Sequence, residues 1–199
     1  MKIVAIALHR YQRDTPEPII LSSVTELESF GYFQRNGIRE MCRFMSKTLI
    51  KRCQPGQRQT IQHEEYNVHC HLRTDGLGGT VIADLEYPPR VAFVLLSTLL
   101  ERFAVDITNW SSVTQQESVT YPPLQEAIRE YQDPAKADKI TKIRRDLDET
   151  TDILHKTIDA VLERGVKLDE LVERSNDLSS QSKLFYKQAR KTNSCCSIS

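Results

Sequence analysis

The side chains able to do chemistry in this chain lie at its far end, in Cys195-Cys196-Ser197-Ile198-Ser199. A Cys-a-a-X ending with serine last is a farnesylation signal, in which the sulfur of Cys196 would carry the prenyl group. One prenyl chain gives only marginal, reversible membrane binding, so stable attachment needs a second signal. Cys195 offers it, by palmitoylation or a second prenyl group. Lys183, Lys187, Arg190 and Lys191 add a basic cluster suited to lipid headgroups, or an ordinary solvated helix face. Ser197 is polar at a position more often aliphatic, whereas Ile198 fits; the departure bears on how efficiently the signal is processed, not on its site. The alternative is an unmodified tail with exposed thiols.

A second chemically pointed residue, Arg164, sits inside an apolar repeat. Alternate steps of three and four residues give a seam of Ile140, Ile143, Leu147, Thr150, Leu154, Thr157, Val161, Arg164, Leu168, Leu171, Ser175, Leu178, Ser182, Phe185, Ala189 and Thr192. That is one strand of a coiled coil, about 80 Å long at 1.5 Å per residue. Its small Ser and Ala positions suit a core crowded by several helices. A guanidinium in such a core must find an acceptor for each N–H. Three carboxamide oxygens from three partner helices would satisfy it and fix the register of that layer. The other reading is a generic coiled coil whose Arg164 reaches solvent.

The elements that would position these residues follow from the punctuation of the chain. Before residue 133 there are short β-rich runs with Pro and Gly between them; after it there is almost none of either. Strands are predicted at Lys2–His9, Ile19–Val24, Arg58–Glu64, Asn67–Arg73 and Gly78–Ala83. Helices are predicted at Ile38–Arg52, at Val91–Phe103 after the rigid Pro88-Pro89, and at Leu124–Tyr131. The order of elements excludes alternating βαβ units and gives an α+β fold, a five-stranded antiparallel sheet sandwiched by helices. Asp133-Pro134 then opens a long helix, Asp as N-cap and Pro at the first helical position. Gly165 costs that helix roughly 1 kcal/mol, so it needs partners to persist. Three parts are expected: residues 1–131, the helical motif 134–194 and the lipid-bearing tail 195–199.

Bulk composition agrees. The 199 residues are 39% hydrophobic and 27% charged, slightly polar, as an extended helix with solvated outer faces requires. Lysine and arginine balance aspartate and glutamate at 27 each, so attraction to nucleic acid is not indicated. The apolar N-terminal run is too short for a signal h-region, and the longest apolar stretch, Val91 to Leu100, cannot span a bilayer. Five scattered cysteines show neither metal spacing nor a paired framework and fit a reducing compartment.

With these residues in view a family emerges. Leu147-Asp148-Glu149-Thr150 and Val161-Leu162-Glu163-Arg164-Gly165-Val166-Lys167-Leu168-Asp169-Glu170-Leu171 resemble the R-SNARE motif, with Arg164 at the central ionic layer. Phe30-Gly31-Tyr32-Phe33-Gln34-Arg35 and Glu86-Tyr87-Pro88 resemble a longin domain, a profilin-like sandwich. Together with Ser194-Cys195-Cys196, the chain is similar to the Ykt-type prenylated R-SNAREs of the synaptobrevin-like superfamily. The resemblance implies a parallel four-helix bundle with three Q-SNARE helices, whose glutamines meet Arg164, and no enzymatic reaction. It implies farnesylation at Cys196 with loss of Ser197–Ser199 and no cofactor beyond the covalent farnesyl and second lipid. It also implies cycling between cytosol and the cytoplasmic face of ER, Golgi, vesicle and endosomal membranes. A longin domain folded back on the motif would shelter the lipid. Phe44, off the core stripe Ile38, Met41, Cys42, Met45 and Leu49, is the candidate for that contact; burial under the loop before Trp110 is the alternative.

Rival chemistries find less support. His63, His69 and His71 lack a fourth ligand of zinc spacing and read as polar residues on an exposed sheet face. Gly76-Leu77-Gly78-Gly79-Thr80 is followed by no lysine and makes no phosphate-binding loop. An acyl-transfer enzyme working through Cys42 or Cys53 lacks a visible base, and a lipidated homo-oligomeric tether would share the tail and the seam.

Overall fold

A computed structural model describes residues 2–12, 14–133, 153–162 and 165–195, with side chains described as far as Ala189. β1 (Ile3–Arg10) is apolar along nearly its whole length because it is buried on both faces, at the centre of the sheet. Around it lie β2 (Ile19–Thr25), β3 (Arg58–His63), β4 (Tyr66–Leu72) and β5 (Leu77–Asp84), in the order β2-β1-β5-β4-β3 with antiparallel neighbours. The turn from β4 to β5 is set by Asp75, whose carboxylate accepts from the amide of Leu77 at 3.1 Å, and by Gly76 at φ +90°. A Cβ at Gly76 would stand 2.6 Å from the carbonyl oxygen of Tyr11, so only glycine fits.

Three helices of the N-terminal domain fall where proline and apolar periodicity place them. α1 (Arg35–Ile50) covers one face of the sheet; α2 (Pro89–Asp106) and α3 (Pro122–Glu130) cover the other, each opening on a proline. The α2–α3 core is built on Leu8, Val81, Phe93, Leu96 and Phe103, and the α1 core on Leu49, Ile50, Val68, Cys70 and Leu72. Beneath α1, the His9 ring nitrogen lies 3.3 Å from the Thr80 hydroxyl, which donates to Ser46 of α1 at 3.0 Å.

Three expectations change. The sheet has a sixth strand, β6 (Ile153–Thr157), which pairs with β3 in parallel. It comes from the segment expected to be helical. The single helix over 134–194 is replaced, among the described residues, by β6, α4 (Ile158–Val161), α5 (Leu168–Arg174) and α6 (Ser180–Cys195). The physical reason is that an apolar seam without partner helices must be buried elsewhere, and the α1 side of the domain accepts it. His69, expected on an exposed face, is fully buried under α2, hydrogen-bonded to Thr60 at 3.0 Å and edge-on to the Phe93 ring. His63 and His71 are half-buried, and among the described residues no group of three metal-ligating side chains forms.

Candidate functional site

The site is a stripe of α1 with the C-terminal segment laid across it. Gly37, Glu40, Phe44 and Lys47 follow one another at steps of three and four, hence along one helical face. Each meets the segment or shares its core. At Gly37 the helices cross closely, and a Cβ there would lie 3.5 Å from the Phe185 ring and 3.6 Å from the Ser182 hydroxyl. Glu40 accepts from the backbone N–H of Ser179 at 2.9 Å and from the hydroxyl of Ser182 at 2.6 Å. Lys47 pairs with Asp177 at 2.6 Å. Phe44, only 6% exposed, belongs to the cluster that takes in Ile158, Leu162, Leu168, Val172, Leu178 and Tyr186. Trp110 lies in the other core.

Glu40 acts as an N-cap supplied by another helix. Ser179 precedes α6 and its hydroxyl accepts from the Ser182 amide at 3.2 Å, the usual capping bond. The Glu40 carboxylate adds a negative charge at that same helix start, which the helix dipole favours. Burial pushes its pKa up, but hydrogen bonds from Ser182, Ser179 and Asn36 outweigh that and hold it below the ordinary value.

The seam splits in two on this face. Leu168, Leu178 and Ser182 are buried; Val161, Leu171, Ser175, Phe185 and Ala189 are half-buried; Leu154 and Thr157 are exposed. The rest of the anchoring comes from Ile158, Leu162, Val172 and Tyr186, each one position beyond a seam residue. The folded-back segment thus presents a face turned by one residue from the seam, about 100° on a helix. Tyr186 donates to Asp169 at 3.0 Å, and Lys187 pairs with Glu173 at 2.6 Å, tying α6 to α5. Ile140, Ile143, Leu147, Thr150, Arg164 and Cys196 lie outside the described residues, and of Thr192 and Cys195 only the helical backbone is described. The signal that finds this site in the sequence is the Gly37-Glu40-Phe44-Lys47 spacing; of its members only Phe44 was singled out above.

Between α1, the β3–β4 hairpin and α6 runs a groove of 580 Å³ lined by Phe30, Ile38, Met41, Met45, Tyr66, Val68, Phe185, Tyr186 and Ala189 among others. Its predominantly apolar wall and volume fit a hydrocarbon ligand. The α6 backbone continues from this groove to Cys195. Thiol chemistry inside the domain is disfavoured. Burial pushes the thiols of Cys42 and Cys53 up to about 12 and about 11, and that of Cys70 well above its ordinary value, so none is a thiolate at neutral pH.

Comparison with known proteins gives matches over both parts of the chain. Residues 27–128 match the Longin family, described as a regulated-SNARE-like domain, and residues 139–197 match the Synaptobrevin family. The chain is 48% identical over 199 residues to VAMP-like protein YKT61 of Arabidopsis thaliana, with all of both chains covered. It is 47% identical over 201 residues to VAMP-like protein YKT62 of the same plant, again over the full length of both. It is 43% identical over 201 residues to synaptobrevin homolog ykt6 of Schizosaccharomyces pombe, likewise end to end. Among the described residues no helix is long and apolar enough to cross a membrane.

Proposed function

The chain belongs to the Ykt-type longin R-SNARE family, a non-enzymatic family of vesicle trafficking, and from that membership we propose that it alternates between two uses of one segment. In the open state residues 134–194 join three Q-SNARE helices in a parallel bundle, and Arg164 meets their three glutamines. The bundle zippers toward the C-terminus and draws two membranes together. In the closed state the segment lies on the longin face described above, and the seam is not free to pair.

The observation that carries this reading is the shared burial of Leu168, Leu178 and Ser182. All three are seam positions, so the longin face and the bundle compete for them. Phe44, at the centre of the α1 stripe, is the longin contribution to that closed contact. Farnesyl on Cys196 and a second lipid on Cys195 anchor the open form. The 580 Å³ groove beside α6 shelters the farnesyl chain when the protein is closed. Cycling between cytosol and the cytoplasmic face of ER, Golgi, vesicle and endosomal membranes follows from such a reversible anchor.

Circular dichroism of residues 134–194, alone and mixed with three Q-SNARE helices, tests the proposal when repeated with the full-length chain. Helix should appear only on mixing, and more slowly with the longin domain present. Helix already formed by the isolated segment would favour a homo-oligomeric tether instead. Equal rates with and without the longin domain would remove the autoinhibition.

A further inference from the structure

On the other flank of Phe185 from the apolar groove, the closed chain leaves a second apolar surface open. Tyr32 is 79% exposed, Phe33 87% and Leu184 60%. Among the described residues six large hydrophobic side chains are exposed, and three of the six are these. Monomers scatter such residues singly; a gathered set marks a surface that something else covers. Tyr32 and Phe33 lie in the short turn that leads into α1, their rings edge to face at 5.6 Å. Phe33 and Leu184 line one shallow groove of 350 Å³, shared with Gln34, Gly37, Gln181 and Gln188.

The chemistry of this surface narrows its occupant. Its polar lining is made of amides, with no charged side chain. The lysines nearest along α6 are turned to another task, since both Lys183 and Lys187 bind Glu173, at 2.8 and 2.6 Å. An acidic peptide or a nucleic acid finds nothing to pair with here. A tyrosine beside a phenylalanine and a leucine, in an uncharged frame, has the composition of a contact with the membrane–water interface. Geometry points the same way: Leu184 and Cys195 belong to one helix, about 16 Å apart at 1.5 Å per residue.

We propose that Tyr32, Phe33 and Leu184 form a membrane-contact patch of the closed form, dipping into the interface of an uncharged bilayer with α6 lying along its plane. The orientation of α6 rests on the lipid anchor proposed above; the patch itself does not. Because Tyr32 and Phe33 come from the longin domain and Leu184 from the SNARE segment, only the closed state assembles the patch. A closed molecule therefore samples membranes before its lipid is released.

The test uses the full-length chain without lipid, mixed with phosphatidylcholine vesicles. A Phe33→Trp variant should show a blue-shifted emission that brominated phosphatidylcholine quenches; Trp110, the sole native tryptophan, is buried and adds a constant background. Tyr32→Ser combined with Phe33→Ser should lower vesicle partitioning about tenfold. Both side chains are largely solvated, so the thermal midpoint of the double variant should stay unchanged. An unshifted reporter at saturating vesicles, or equal partitioning of the double variant, overturns the patch. So does binding that needs phosphatidylserine and vanishes in salt, which would assign the contact to the basic residues. Cys196→Ser is silent in this unlipidated assay, so failure of the anchor and failure of the patch are separately visible.

Discussion

Glu40 concentrates the closed state in one carboxylate, because it holds two serines and the start of a helix at once. Glu40→Ala should leave the longin domain folded and weaken the closed contact by about 1–2 kcal/mol. Hydrogen exchange at the first amides of α6 should then quicken roughly five- to thirtyfold; unchanged exchange would show that the cap is incidental. Its depressed pKa sets a sign. The contribution is complete above the ordinary carboxylate value and is lost as pH falls through the lower folded one, so acid favours opening. Two buried histidines give the domain a separate acid sensitivity. Burial, with Lys47 nearby, lowers His9 to about 3, and burial, with His155, lowers His69 to about 4. An unfolded chain takes up those protons from about 6.5 downward, whereas the folded one does not. Stability should therefore fall as pH drops below 6.5, by about 2 kcal/mol per histidine at pH 5. Equal urea midpoints at pH 7 and pH 5 would contradict this.

At the scale of elements, the sequence is clearest where the signal is local. Pro88-Pro89 and Pro122 mark the helix starts, and the strands of the first eighty residues lie within one or two positions of their predicted ends. β6 was not legible. Ile153-Leu154-His155-Lys156-Thr157 continues the heptad without a break, and it becomes a strand only because β3 offers an unpaired edge nearly a hundred residues upstream. Periodicity cannot report such a partner. The α1 stripe was hidden similarly, since Gly37, Glu40 and Lys47 acquire meaning only from Phe185, Ser182 and Asp177. One consequence is measurable. Leu154 and Thr157 cannot remain in β6 and also face a bundle core, so bundle formation should expose β3. The amides of Arg58–Gln62 should be protected in the free chain and exchange faster in the four-helix complex; retained protection would mean β6 survives assembly. Arg164→Ala should leave the longin domain folded but lower the melting temperature of that complex, because three carboxamides would lose their cation. An unchanged melting curve would count against an ionic layer at this position.

For the molecule as a whole, the two halves of the chain stabilise one another by occupying surfaces each would otherwise expose. Both outer edges of the sheet are covered. The loop amides of Glu117 and Val119 donate to Ile20 and Leu21 on β2, and β6 closes β3. This is the usual protection against edge-to-edge association. Membrane residence is the whole-molecule readout of the tail: Cys196→Ser should leave the protein wholly in the cytosolic fraction of a cell. Persistent sedimentation with membranes would show that the prenyl group is not the anchor.

Strand β6 has a further consequence, for the birth of the protein. Translation delivers β3 long before its covering strand, and the stretch from His63 to Ile153 must be synthesised in between. At the pace of ribosomes that interval lasts roughly 5–20 s. Throughout it the nascent sheet presents an open ladder of amides and carbonyls to its neighbours on the polysome. Variants that slow elongation within this window should therefore raise the demand for chaperones without altering the finished fold.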